Sequence, residues 1–73
     1  MDINAMRAEL AELRKTQQEC FEAYTKAKAF VTTAPVGVLA AAWKMRDVTF
    51  DAWAASVIAV VRATRELREA TNG

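Results

Sequence analysis

The side chains in this sequence best placed to move a proton or hold a cation are three acid pairs, Glu9/Glu12, Glu19/Glu22 and Asp47/Asp51. Their spacing of three or four sets both carboxylates on one face of a helix, the arrangement that acid–base chemistry or a hard cation requires. A solvated helix surface has the same spacing, and Lys15, Gln18 and Lys26 surround Glu19 and Glu22. The surface reading is therefore preferred for all three pairs. The chain has no histidine, which removes Ser–His and Cys–His nucleophiles. Its single cysteine, Cys20, falls on an apolar helix stripe between Glu19 and Glu22 and reads as a small core residue. One cysteine without histidine allows neither an internal disulfide nor a zinc site. Both glycines are isolated, so there is no phosphate-cradling loop. No catalytic residue, metal or cofactor is expected, and an enzyme is not the expected class.

Two further groups of residues bear on ligands. Arg62, Arg65 and Arg68 form a basic edge, but Glu66 and Glu69 interleave with them. A helix-turn-helix would place Leu39–Arg46 as its first helix and its turn at Asp47. Trp43 then occupies the position that needs a small residue. The recognition helix, Phe50-Asp51-Ala52-Trp53-Ala54-Ala55, offers nothing to read base edges. Nucleic acid is not an expected partner. The aromatics all lie between Phe21 and Trp53 and could stack on a planar ligand or nucleotide at a subunit interface, but at helical spacing such residues more often form a core.

Composition narrows the remaining classes. Ten basic and nine acidic side chains nearly cancel, leaving no field to steer nucleic acid or an anionic membrane. Apolar residues make up 53% of the chain, which argues against disorder. The longest uncharged run, Ala29 to Trp43, is shorter than the roughly 20 residues of a membrane helix and contains Pro35 and Gly37. The start has no basic segment ahead of an apolar run, so no signal peptide is expected and the cytoplasm is the default. A chain of 73 residues makes one small domain that buries little surface by itself, and association is the usual remedy.

The elements that carry these residues are helical. Ile3, Met6, Leu10, Leu13, Gln17, Cys20, Tyr24, Ala27 and Val31 follow one another by alternating steps of three and four, which predicts a helix over 2–32 with one seam facing another helix. Its length would be about 46 Å. Asp2 suits its N-terminus, and Lys26 and Lys28 its C-terminus. Glu9 and Arg14, like Asp2 and Arg7, have the spacing of flanking charges that pair across a coiled coil. Gln17 is the polar member of the seam. Pro35, welcome only in a first turn, predicts that a second helix begins there, capped by Thr33 or Ala34.

For the second half two readings stand. One continuous helix is possible because Val36, Leu39, Trp43, Phe50, Trp53, Val57, Val60, Thr64 and Leu67 keep a single heptad phase, interrupted at Arg46. The other places a break at Asp47–Thr49, with helices over 35–46 and 49–70. Thr49 would be the N-cap, Val48 and Trp53 a hydrophobic staple, Lys44 and Arg46 would close one helix, and Asp47 and Asp51 would open the next. These local signals favour the break. The expected fold is thus an all-α antiparallel hairpin: a long helix, a short one and another long one. Its register would set Tyr24 against Trp43, Leu10 against Val57, and Met6 against Val60 or Val61.

Phe21, Phe30, Val38, Met45, Ile58 and Val61 lie off the seam. Such an apolar surplus predicts a homodimeric or higher helical bundle, with these six at the interface. The outline resembles small dimeric helical-hairpin regulators in architecture alone. The expected function is protein–protein interaction: a regulator, inhibitor or adaptor of a larger protein, a habit of mobile elements such as phages. A ligand- or nucleotide-binding oligomer is the first alternative, and a DNA-binding regulator the second.

Overall fold

The computed structural model describes residues 2–72. The chain is all-α: α1 (Ile3–Thr33), a short 3₁₀ turn (Val36–Val38) and α2 (Leu39–Asn72). The two helices run antiparallel as a rod of 56 × 14 × 13 Å. Asp2 caps α1, its carboxylate accepting from the Asn4 and Ala5 amides at 3.0 and 3.3 Å. α1 stops because Ala34 precedes a proline. Steric conflict with the proline ring pushes that residue out of the helical region, and Ala34 sits at ψ 136°.

Pro35 does not open the second helix directly. It is itself extended (ψ 152°), and its carbonyl accepts the Val38 amide at 3.0 Å to begin the 3₁₀ turn. α2 starts only at Leu39, so the bend of the hairpin lies later in the chain than the sequence suggests. The register moves accordingly, by about two helical turns. Tyr24 meets Phe50 and Trp53 rather than Trp43. Leu10 shares a groove with Thr64 and Leu67 rather than Val57. Met6 lies with Glu66, Glu69 and Ala70 rather than Val60 or Val61.

The expected break at Asp47–Thr49 is absent, and α2 is continuous from Leu39 to Asn72. The signals that suggested a break are used otherwise. The Thr49 hydroxyl donates back to the Met45 and Arg46 carbonyls at 2.7 and 3.0 Å, a bond made within a helix and not at its start. Asp47 pairs with Arg46 at 3.1 Å instead of opening a new helix. The guanidinium of Arg46 also lies 4.1 Å above the Trp43 ring, which keeps its charge outside the seam while its stem is half-buried.

In α1 the nine seam residues are the ones shielded from solvent, and their neighbours along the helix are exposed. In α2 the shielded stripe is not the expected one. It runs Leu39, Ala42, Arg46, Thr49, Trp53, Ser56, Val60, Ala63, Leu67 and Ala70. One line of the expected seam is retained. The other has moved by one residue, to Ala42, Thr49, Ser56 and Ala63; of the expected line Trp43 and Phe50 are exposed, while Val57 and Thr64 stay half-buried beside it. Trp43 and Phe50 are each 44% exposed, whereas Ala42 is fully buried. The physical reason is distance: a line of small residues lets the backbones approach, and the bulky side chains then wrap the flank. The hydroxyls on this line are satisfied within α2, Ser56 donating to the Trp53 carbonyl at 2.6 Å. Among the described residues no buried side-chain polar atom lacks a partner.

Two substitutions test this packing. Ser56→Leu forces the helices apart and should destabilise the fold by about 1–3 kcal/mol in denaturant titration. Gly37 has a negative φ and open space where a Cβ would project. Gly37→Ala should therefore stabilise the fold by about 0.5 kcal/mol in the same titration.

Candidate interaction surface

The helical wheel set by the seam divides the remaining side chains into two flanks. In an antiparallel pair, corresponding flanks of the two helices adjoin. Phe21, Arg7 and Arg14 of α1 therefore share a side with Trp43, Phe50, Val57 and Thr64 of α2. Glu9 and Phe30 of α1 share the other side with Val38, Met45, Ala52 and Glu66. Glu9 and Arg14 thus face opposite ways and do not pair, and the same geometry separates Asp2 from Arg7. The antiparallel fold is the reason, because the expected pairing belongs to parallel helices. Among the described residues the one ion pair is Arg46–Asp47.

The first flank is aromatic near the middle of the rod. Tyr24 and Trp53 stack with planes 2° apart and centroids at 5.9 Å. Phe50 meets both edge-on at 5.5 and 6.0 Å, and Phe21 lies 5.7 Å from Trp53. This is a packed cluster that ties the helices together, and its outer edges, Phe21 and Phe50, remain partly open. Toward the open end of the hairpin the flank becomes basic. A groove of about 420 Å³ there is walled by Arg7, Arg14 and Arg68, with Leu10 and Leu67 at its floor.

The second flank is aliphatic toward the turn. Val38, Ala41, Met45, Val48, Ala52, Ala55 and Ala59 repeat at steps of three and four along α2 and form a second seam. All but Ala59 are exposed, Val48 by 59%. A shallow apolar groove lies along it between Ala41, Met45 and Val48. Toward the open end this flank becomes acidic: a second groove is lined by Met6, Glu66, Glu69 and Ala70. Arg62, one heptad beyond Ala55, is the basic exception on this flank, and its side chain lines a groove with Ile58 and Arg65.

The six residues expected at an interface, Phe21, Phe30, Val38, Met45, Ile58 and Val61, are all exposed. They do not form one patch. Phe21 and Val61 belong to the basic–aromatic side, Phe30, Val38 and Met45 to the acidic–aliphatic side, and Ile58 to the outer face of α2. Val48 and the alanines of the second seam lie outside those six, although their spacing is legible in the sequence. The basic and acidic grooves had no local signal, since they depend on which helix flanks adjoin.

Cys20 is a half-buried free thiol on the seam. Among the described residues, no three histidine, cysteine, aspartate or glutamate side chains gather as a metal site would require. No described helix is long and apolar enough to cross a membrane. No protein-family model matches the chain, and no curated protein and no solved structure matches it either.

The aromatic cluster and the exposed Trp43 should respond differently to truncation. Trp53→Ala removes the ring that contacts Tyr24, Phe50 and Phe21 and should cost about 2–3 kcal/mol of stability. Trp43→Ala, whose ring is 44% exposed, lies under Arg46 and is outside the aromatic cluster, should cost less, about 1 kcal/mol. Urea titration followed by helical circular dichroism compares the two.

Proposed function

We propose that this chain is a non-enzymatic helical interaction module of the cytoplasm, which self-associates and regulates, inhibits or adapts a larger protein. One observation carries this reading. The hairpin exposes 5491 Å², against about 4,500 Å² for a compact chain of its size, and ten large apolar side chains are among its exposed residues. Large apolar side chains lie open along α2 on both flanks, whereas the outward positions of α1 are mostly charged, polar or alanine. Contiguous apolar surface on a small protein marks a site of association. A planar ligand or nucleotide held between subunits is a second reading, supported by the open edges of the aromatic cluster. The DNA-reading alternative loses its structural support, because α2 has no turn at Asp47 for a helix-turn-helix to use.

Met45→Asp and Val61→Asp place a charge on the two flanks without touching the seam. Each should lower the mass measured by light scattering on a sizing column while leaving the circular dichroism of the hairpin intact. Normal assembly by both variants would remove these flanks as the interface, and a monomeric unmodified chain would remove self-association from the reading. Affinity capture with the unmodified chain should recover one specific target protein, and recovery of none would count against the regulatory role.

A further inference from the structure

We infer that a second copy of this chain packs beside the first in the same orientation, the basic–aromatic flank of one against the acidic–aliphatic flank of the next, and that the array closes into a ring with α2 inside and α1 outside. This rests on the self-association proposed above and specifies its geometry.

The argument begins with the charges. Arg7, Arg14 and Arg68 converge on one groove at the open end of the hairpin, and none of them has an ion-pair partner among the described residues. Glu66 and Glu69 line the groove on the opposite side of the same end, and Glu9 adjoins Glu66 on that flank. The net charge of the chain is only +1, so this separation reflects placement and not composition. A flank that lacks counter-charges, on a molecule whose other flank supplies them at the same height, is complementary to its own copy. Near the turn α2 presents large apolar side chains on both flanks, Trp43 and Phe50 on one, where α1 adds Lys28, and Met45 and Val48 on the other.

Orientation follows. When two copies lie in the same direction, arginines meet glutamates at the open end and aromatic side chains meet aliphatic ones near the turn. When one copy is reversed, arginines fall against Met45 and Val48 and lose their partners. A two-fold contact made by like flanks sets acid on acid or base on base if the copies are parallel, and leaves each charged end without counter-charges against an apolar end if they are antiparallel. The contacting surfaces therefore differ, and a contact between unlike surfaces repeats from copy to copy until it closes or extends as a fibre. Closure is favoured because the apolar positions of both flanks lie mainly on α2. Val61 and Ala54 extend one flank over α2, and Val48 and Ala55 the other, so the two contact planes converge on that helix. Copies joined through such planes curve with α2 inward. The polar outer face of α1 is left for the target.

Charge reversal tests this. The double variant Arg14→Glu/Arg68→Glu makes both flanks acidic at the open end, and Glu66→Arg/Glu69→Arg makes both basic. Sedimentation velocity of the unmodified chain should give a closed species of more than two copies. Each variant alone should assemble at least tenfold more weakly. An equal mixture of the two should recover assembly with the variants in equal proportion, which also shows that both remain folded. A unmodified dimer, or full assembly by either variant alone, overturns the flank-to-flank ring. If Met45→Asp still disrupts assembly in that case, self-association stands and only its geometry falls. A monomer at every concentration overturns both.

Discussion

The structure depends on the closeness of two helices, and that closeness depends on a line of small residues. Ala42, Thr49, Ser56, Ala63 and Ala70 face the bulky seam of α1. With nothing larger than threonine on that line, Leu10, Leu13 and Tyr24 fill the space between the backbones. Phe50 is then held to the side, where it packs with Tyr24 and Trp53 as an aromatic cluster spanning both helices. A bulkier line facing inward would have given a wider hairpin with a different surface.

That choice of inward line has consequences outside the seam. It turns Trp43 and Phe50 toward one flank and Met45 and Val48 toward the other, so each flank carries apolar side chains that a two-helix rod cannot cover. It also sorts the charges at the open end. Positions that would pair in a parallel coiled coil are separated in an antiparallel one, which leaves arginines on one side and glutamates on the other. The interaction surface is thus a by-product of the packing within the chain, and the proposed function follows from the surplus that this packing leaves.

Much of the fold was legible in the residues themselves. The nine-residue seam of α1 is an uninterrupted heptad on an otherwise polar helix, so one face alone could be buried. Asp2 and Pro35 act through their own chemistry, one by accepting orphan amides and the other by excluding helix from the residue before it. Thr49 misled because a threonine hydroxyl can cap a helix or bond back within one, and the local sequence is compatible with both. Ser56 gave no core signal, since its burial relies on a bond to its own helix.

The sequence by itself determined the all-helical class, the face that α1 buries and the point where α1 ends. Each of these rests on the chemistry of single residues or on the period of one helix. Only the tertiary structure decided which line of α2 turns inward, because α2 is apolar or small nearly all round and its periodicity admits more than one seam. It also decided the register, through a 3₁₀ turn that delays the second helix, and with it the division of charge between the flanks. Those features depend on how closely and at what height two helices meet, and that distance is set by both partners together.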